Sequence, residues 1–172
     1  MSVVILTGFM GTGKTTIGRR LAAQLRMPFV DTDECIVQRE GRSIAAIFAD
    51  RGEPYFRVVE RQVIGEAVRA DAVVATGGGA IIDPANYECM DAAGPVVCLT
   101  ADVEVIIERT AADTSRPLLS TGERRARVQQ LLAERAAAYA RADLTVDTSR
   151  RPVDAVVEEI LMFLRHRHEV AQ

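Results

Sequence analysis

Short runs of apolar residues alternate with longer amphipathic stretches along this chain. The runs are rich in β-branched side chains and lack polar alternation, which is typical of strands buried on both faces of a parallel sheet. In the longer stretches apolar residues recur every three or four positions, which predicts helices with one buried face. The predicted strands lie at residues 3–6, 28–31, 72–75, 95–99 and 144–146.

The predicted helices fall between these strands, at residues 15–26, 34–51, 54–70, 102–109, 124–140 and 152–164. The segment 34–51 is interrupted by Gly41 and Ser43, and Ser43 is a plausible N-cap for the helix that follows. Strands that alternate with helices predict an α/β fold in three layers, α/β/α, around a central five-stranded parallel sheet. The chain has 172 residues and no linker, so we expect residues 1–172 to form a single domain.

Composition and charge exclude several classes of protein. Hydrophobic residues make up 48% of the chain and the net charge is −3, so nothing draws the whole protein to nucleic acid or an anionic membrane. No apolar stretch is long enough to cross a bilayer. Cys35, Cys89 and Cys98 lack metal-site or disulfide spacing and are expected in or near the core. We therefore expect a cytoplasmic protein whose partners include neither nucleic acid nor membrane.

A glycine-rich segment follows the first predicted strand and leads into the first helix. Its sequence GFMGTGKT, residues 8–15, fits the pattern G-x-x-x-x-G-K-[ST] of a phosphate-binding loop. Glycines there let backbone N–H groups point at phosphate oxygens, and the helix N-terminus adds partial positive charge. Lys14, the only lysine among 21 basic residues, would reach the β- and γ-phosphates, and the Thr15 hydroxyl would bind Mg²⁺. The segment predicts a site for a nucleoside triphosphate.

The phosphate loop alone leaves three classes open: a GTPase switch, a small-molecule kinase and a nucleotide-binding regulatory module. Ras-type recognition of guanine needs an [NT]-K-x-D segment. This segment cannot exist in a chain whose only lysine is Lys14, which argues strongly against the GTPase class.

Polar residues follow two further strands at the edge where ligands of parallel sheets gather. Asp31 and Asp33 follow the second strand, which suits contact with metal-bound water and recognition of a hydroxyl. The alternative is a simple acidic cap for the next helix. Three glycines, residues 77–79, follow the third strand and would let an anion approach backbone N–H groups, unless they form only a flexible turn.

Two arginines indicate an anionic acceptor. Arg57 lies near the start of a predicted helix, and Glu60 shares its helix face and could orient it. Arg135 falls on the otherwise apolar stripe that runs from Val128 to Tyr139. A guanidinium in that position either faces a ligand or belongs to a buried ion pair, for example with a helix glutamate.

The segment 110–123 shows little periodicity and has the length at which loops are usually functional or disordered. It contains Arg116. An arginine on a mobile loop can close over the γ-phosphate and neutralise the charge that develops during transfer. The segment therefore predicts a mobile lid, unless Arg116 is an incidental surface residue.

Together these motifs resemble the shikimate kinase family, a member of the nucleoside-monophosphate-kinase-like P-loop group. The resemblance rests on the order and spacing of several motifs over nearly the whole chain, since each one after the phosphate loop is weak alone. The matching motifs are GFMGTGKTT at 8–16, DTD at 31–33, GE at 52–53, FR at 56–57 with Glu60, TGGG at 76–79, RPLL at 116–119, and Arg135 with Tyr139 and AD at 142–143.

The resemblance implies both a fold and a reaction. The fold would be a P-loop NTPase fold of the nucleoside-monophosphate-kinase type, with a substrate-binding helical segment at about 32–62 and a lid at about 110–123. The reaction would transfer the γ-phosphoryl group of ATP to the 3-hydroxyl of shikimate, giving shikimate 3-phosphate and ADP in the chorismate pathway to aromatic amino acids. ATP and Mg²⁺ would be required, and we expect a monomer.

The resemblance also implies roles for individual residues. Lys14, Asp33 and Arg116 would be catalytic, with Asp33 the natural candidate to receive the hydroxyl proton. Thr15 and, through water, Asp31 would hold Mg²⁺. Shikimate would contact Asp33, Arg57, Gly78, Gly79 and Arg135. ATP would contact Gly11, Thr12, Gly13, Lys14, Thr15, Thr16, Arg109, Arg116, Arg151 and Pro152.

Two alternatives to this function remain open in the sequence. A gluconate-type kinase would also use arginines to bind a sugar acid, although the DTD and triple-glycine elements favour shikimate. A catalytically silent nucleotide-binding module is the alternative outside the enzymes, although every polar position expected of the kinase is present.

Overall fold

A central parallel sheet organises the fold. The computed structural model describes residues 3–111 and 124–170. The strands are β1 (Val3–Gly8), β2 (Phe29–Asp31), β3 (Ala72–Ala75), β4 (Val96–Thr100) and β5 (Leu144–Asp147). Their order is β2-β3-β1-β4-β5, and every neighbouring pair is parallel. The predicted five-stranded parallel sheet is therefore confirmed.

Helices cover both faces of this sheet. They are α1 (Lys14–Leu25), α2 (Thr32–Glu40), α3 (Ile44–Ala67), α4 (Pro84–Ala93), α5 (Val103–Thr110), α6 (Arg124–Tyr139) and α7 (Val153–Val170), with a short 3₁₀ helix at Ala80–Ile82. Helices α1 and α7 pack on one face, and α3 to α6 contribute to the core on the other. Within the described residues, none of these helices has the length and apolar character needed to span a membrane.

Strand β1 shows why the predicted strands carry so few polar residues. Val3 and Ile5 join the core on the α3–α6 side, whereas Val4 and Leu6 join the core on the α1–α7 side. All four side chains are almost fully buried. Because successive side chains of a strand point to opposite faces, a strand covered on both faces is apolar throughout.

Helices α2 and α3 pack on each other through a small apolar cluster of their own that includes Ile36 and Phe56. Helix α2 ends at Gly41, whose φ of 66° is in the left-handed region that favours glycine. The Ser43 hydroxyl then accepts a hydrogen bond from the Ala46 N–H at 3.2 Å and starts α3. The predicted interruption and the predicted N-cap are both confirmed.

Helix α3 is kinked within its length. Gly52 has φ 78° and ψ 171°, outside the helical region, so the helix consists of two limbs. Pro54 follows in the first turn of the second limb, where its missing N–H is tolerated. The gap between the predicted helices 34–51 and 54–70 coincides with this kink.

The structure adds elements that the pattern did not predict. The 3₁₀ helix and α4 follow the three glycines, and the Asp83 side chain caps α4 by accepting from the Ala85 N–H at 2.9 Å. The Asp83-Pro84 pair, an N-cap followed by proline at the first helical position, was the available signal. Helix α7 also continues to Val170 instead of ending at residue 164.

Candidate active site

Two cavities lie on either side of the phosphate loop, where the strands of the sheet end. The acceptor cavity, of about 450 Å³, is lined by residues that include Met10, Asp33 and Arg135. The nucleotide cavity, of about 360 Å³, is lined by residues that include Gly11 and Arg109. Since Met10 and Gly11 are adjacent in the loop, the loop itself forms the boundary between the two cavities.

The phosphate loop has the backbone shape that its glycines allow. Gly8, Gly11 and Gly13 have φ angles of 133°, 76° and 93°, which other residues rarely adopt. The Lys14 ammonium donates to the carbonyl oxygens of Gly8 at 2.7 Å and of Phe9 at 3.0 Å. The curled backbone and the adjacent cation have the geometry expected of a phosphate cradle.

Two threonines of the loop have different surroundings. Thr12 is fully buried, and its hydroxyl donates to the Phe9 carbonyl at 2.7 Å, so its side chain supports the loop from within. Thr16 is exposed and lines the nucleotide cavity.

Thr15 and Asp31 meet beside the phosphate loop. The Thr15 hydroxyl donates to Asp31 Oδ2 at 3.0 Å. Asp31 Oδ1 accepts from the N–H groups of Asp33 at 3.0 Å and Glu34 at 3.4 Å and thereby caps α2. One carboxylate therefore combines the helix cap with a position beside the loop. Hydroxyl and carboxylate oxygens are the hard ligands that Mg²⁺ prefers, so this pair fits a magnesium-bound nucleotide.

Arg109 joins the far end of α5 to the phosphate loop. Its guanidinium donates to the carbonyl of Gly11 at 3.1 Å and to the carbonyl of Thr148 at 2.9 Å. It also donates to the Thr148 hydroxyl at 3.1 Å. Arg109 therefore forms a wall of the nucleotide cavity.

Arg151 lines the same cavity and forms an ion pair with Glu159 at 2.7 Å. Pro152 is not among the residues that line the cavity, although its neighbours Arg151 and Val153 are. The carbonyl of Pro152 instead accepts from backbone N–H groups at the start of α7. Of these two predicted nucleotide contacts, the structure places Arg151 on the wall of the cavity and Pro152 beside it.

In the acceptor cavity, Arg57 is held by two carboxylates of its own helix. It donates to Glu60 at 2.7 Å and to Glu53 at 3.0 Å. The side chain of Glu60 is 1% exposed, whereas that of Glu53 is 60% exposed. Burial acts to lower the pKa of Arg57, but the two carboxylates outweigh it and raise this pKa. Burial also raises the pKa of Glu60, against the opposing charge of Arg57. The predicted contact between Glu60 and Arg57 is confirmed.

The three glycines after β3, hereafter the glycine loop (residues 77–79), lie against charged side chains. A Cβ atom at Gly77 would be 2.9 Å from Asp33 Oδ1, and one at Gly79 would be 2.9 Å from Arg57 Nη2. Both distances are shorter than real Cβ contacts, so a side chain at either position would displace the charged group. Close approach therefore explains these glycines better than a flexible turn does.

Arg135 completes the charged part of the acceptor cavity. It is 8% exposed, and its guanidinium carbon lies 5.4 Å from the centre of the Phe9 ring. Across residues 3–111 and 124–170, no carboxylate forms a salt bridge with it. The alternative of a helix glutamate as its partner therefore finds no support there. A buried guanidinium that lines a cavity and forms no salt bridge within the described residues is suited to an anionic ligand.

Comparison with known proteins identifies the family. A family model described as shikimate kinase matches residues 10–165. The chain belongs to the shikimate kinase family. A shikimate kinase from Geobacter metallireducens is 46% identical over 165 residues, which cover 95% of this chain and 92% of the relative. One from Pseudomonas syringae pv. tomato is 47% identical, with coverage of 94% and 95%.

A solved shikimate kinase has the same fold. The structure of shikimate kinase from Acinetobacter baumannii in complex with shikimate superposes with a TM-score of 0.94 at 36% identity, covering 97% of this chain and 94% of that one. The predicted nucleoside-monophosphate-kinase-like P-loop fold is thereby confirmed. The comparisons also favour a shikimate kinase over the gluconate-type kinase and the silent module that the sequence left open.

The structure describes one of the two segments predicted for this shikimate kinase family member in full and the other only at its start. The substrate-binding helical segment at about 32–62 corresponds to α2 and most of α3, which bring Asp33 and Arg57 to the acceptor cavity. The predicted lid at about 110–123 is described only at Thr110 and Ala111. Arg116 lies outside the described residues.

Sequence reasoning missed Thr148. This residue is 2% exposed, and its hydroxyl, which accepts from Arg109, has two carbonyl acceptors within reach of its single proton, those of Thr12 at 2.8 Å and Thr100 at 3.0 Å. It therefore connects the phosphate loop, β4 and α5. Its position directly after β5, at the edge where the other strands deliver polar residues, was the signal that could have found it.

Proposed function

We propose that this chain transfers the γ-phosphoryl group of ATP to the 3-hydroxyl of shikimate, giving shikimate 3-phosphate and ADP. One observation carries the proposal: a cavity with two guanidinium groups lies directly against a phosphate loop. A Cβ at Gly78 would lie 3.1 Å from the Gly8 carbonyl oxygen and 3.6 Å from Arg135 Nη1. An acid bound by the arginines is therefore next to the phosphate that the loop would hold.

The acceptor binds through its carboxylate and its hydroxyls. Arg57 and Arg135 bind the carboxylate, because the planar guanidinium matches a carboxylate with two parallel hydrogen bonds. Asp33 accepts a hydrogen bond from a hydroxyl, and the N–H groups of Gly78 and Gly79 approach the ring closely. Apolar residues such as Phe48 and Phe56 complete the cavity and suit the carbon skeleton of an alicyclic acid.

ATP binds with its triphosphate in the loop. The backbone of residues 11–16 and the Lys14 ammonium hold the phosphates, and Arg109, Arg151 and Pro152 flank the adenine. Support comes from the positive φ angles of Gly11 and Gly13 and from the arginines that line the nucleotide cavity.

Thr15 and, through water, Asp31 hold the Mg²⁺ that accompanies ATP. Their oxygens lie 3.0 Å apart, close enough to serve one cation and its water shell. When bound, this ion neutralises charge on the β- and γ-phosphates.

The chain's own residues contribute mainly position and charge to the transfer. Lys14 neutralises negative charge at the phosphates, and Arg116 adds a second cation from the lid. Asp33 is placed to receive the proton of the attacking hydroxyl. Because phosphoryl transfer passes through a loose transition state, alignment of the two substrates matters more than proton removal.

A coupled assay of ADP release tests this function. We expect rapid release with shikimate, and little with gluconate or without an acceptor. Equal turnover without an acceptor would contradict the proposal and indicate an ATPase. Faster turnover with gluconate would favour the gluconate-type kinase.

We also propose that the enzyme acts as a cytoplasmic monomer. The support is the sequence pattern, which gives no indication of a partner. Light scattering of the purified protein tests the monomer, and a mass of twice 18.7 kDa would contradict it.

A further inference from the structure

We propose that Tyr139 is a positioning residue for the acceptor. Its hydroxyl fixes the peptide between Gly78 and Gly79 and thereby directs the Gly79 N–H towards the acceptor cavity. This inference rests on the proposed function, because it takes shikimate as the acceptor.

The contact between Tyr139 and the glycine loop is short and partly buried. The hydroxyl donates to the Gly78 carbonyl at 2.7 Å, and Tyr139 is 8% exposed. Tyr139 follows Arg135 by one turn of α6, so both side chains reach the same side of the helix. Since a peptide carbonyl removed from water needs a partner, this hydroxyl sets the direction in which the Gly78 carbonyl points.

The direction of that carbonyl determines the direction of the next N–H. The peptide bond is planar and trans, so the Gly78 carbonyl and the Gly79 N–H point in opposite directions. The Gly79 N–H makes no hydrogen bond to another described residue, and Gly79 lines the acceptor cavity. A peptide between two glycines rotates easily, because both accept either sign of φ. An anchored carbonyl therefore keeps this N–H available to the acceptor.

Gly78 lies where the glycine loop meets the phosphate loop and the Arg135 side chain of α6. A Cβ there would be 3.1 Å from the Gly8 carbonyl oxygen, 3.5 Å from the Met10 nitrogen and 3.6 Å from Arg135 Nη1. Rotation of this peptide would consequently change the acceptor cavity close to Arg135. Tyr139 does not line the nucleotide cavity, so its removal should affect shikimate more than ATP.

The Tyr139 hydroxyl keeps its proton, and so remains a hydrogen-bond donor, around neutral pH. Burial raises the pKa of its hydroxyl, although the charge of Arg135 and a hydrogen bond with the Arg135 side chain oppose this rise. The group therefore stays protonated around neutral pH, and the effect of removing it should be equal at pH ~6.5 and ~8.5.

Tyr139→Phe removes only the hydroxyl, and with it the contacts to the Gly78 carbonyl and to the Arg135 side chain. The KM therefore reports both contacts, and amide exchange in the glycine loop reports the anchor itself. We expect the KM for shikimate to rise roughly tenfold, the effect of one lost hydrogen bond that leaves a partly buried carbonyl unpaired. The KM for ATP should change by less than about twofold. Tyr87→Phe is the matched control, since the Tyr87 hydroxyl donates to the Arg141 carbonyl at 3.0 Å and lines neither cavity.

A shikimate KM for Tyr139→Phe within about twofold of wild type would overturn the proposal. So would an equal rise in Tyr87→Phe, or a parallel rise in the KM for ATP, because both indicate a general structural loss. Hydrogen exchange of the Gly79 and Ala80 amides without ligand is the second readout and should be faster in Tyr139→Phe only. Unchanged exchange of these amides in Tyr139→Phe would contradict the proposal that Tyr139 fixes the glycine loop. If wild type fails to phosphorylate shikimate, the proposed function fails, and the exchange measurement still decides whether Tyr139 fixes the loop.

Discussion

The nucleotide cavity and the acceptor cavity are built from different parts of the chain. The phosphate loop beside the first is one continuous segment whose backbone conformation depends on glycines with positive φ. The second collects side chains from α2, α3 and α6 around the glycine loop. A triphosphate presents many equivalent oxygens that backbone N–H groups can bind, whereas a small acid needs a few side chains at fixed positions.

The arginines of the two cavities also have different partners. In the nucleotide cavity, Arg109 is satisfied by backbone carbonyls and a hydroxyl. In the acceptor cavity, Arg57 forms an ion pair with the buried carboxylate of Glu60. Arg135 forms no salt bridge within the described residues. The charged groups of the acceptor cavity are therefore largely removed from water. Their burial lowers the stability of the folded state and favours the binding of a charged ligand.

The largest effect is expected from the phosphate loop. Lys14→Ala should lower kcat by about 10³-fold, because a single positioned cation near the transferred group is typically worth this much. The measurement is ADP release at saturating shikimate, with thermal unfolding as the control for folding. A kcat within about tenfold of wild type would show that Lys14 does not neutralise the transferred phosphate.

On the acceptor side, Arg57→Lys should raise the KM for shikimate by about 10- to 100-fold, with a smaller change in the KM for ATP. An ammonium keeps the charge but cannot replace the two-pronged guanidinium. Arg61→Lys is the matched control, because Arg61 on the same helix pairs with Asp83 at 2.5 Å and lines neither cavity. An unchanged shikimate KM in Arg57→Lys would contradict the assignment of Arg57.

The two carboxylates that hold Arg57 provide a narrower comparison. Glu60→Gln should raise the shikimate KM by roughly tenfold, since it removes the charge from a buried, charge-assisted contact. Glu53→Gln changes the exposed partner of the same guanidinium and should have an effect below about twofold. Equal effects of the two variants would show that burial of Glu60 is irrelevant to the orientation of Arg57.

Ionisation of Glu60 should also make the free energy of unfolding depend slightly on pH. Burial raises the pKa of Glu60 in the folded state, so this state binds its proton more tightly than the unfolded chain does. The resulting stabilisation is present below the unfolded pKa of about 4.5 and is lost as pH rises through the folded value. Wild type should therefore lose stability relative to Glu60→Gln across that interval, as urea unfolding at several pH values would measure. A wild type that gains stability over Glu60→Gln with rising pH would contradict this.

The parts of the site that sequence could predict are local ones. The phosphate loop is contiguous, Glu60 is within one turn of Arg57, and Arg135 is conspicuous as a polar residue on an apolar stripe. Each of these signals is contained in one segment of the chain.

The contacts that sequence could not predict join distant segments. Tyr139 meets Gly78 across 61 positions, and Thr148 meets Thr12 across 136. Both residues have ordinary local patterns: Tyr139 continues an apolar helix stripe, and Thr148 follows a short strand. Their roles depend on the neighbouring strands and helices that the sheet order brings together, which local periodicity does not encode.

In the proposed function, one cleft aligns the γ-phosphate of ATP with a single hydroxyl of shikimate. Phosphorus–proton correlation NMR of the product tests this most directly, because it locates the transferred group on the ring. We expect one product, shikimate 3-phosphate, formed in step with ADP. Phosphate on another hydroxyl, or free inorganic phosphate as the main product, would contradict it.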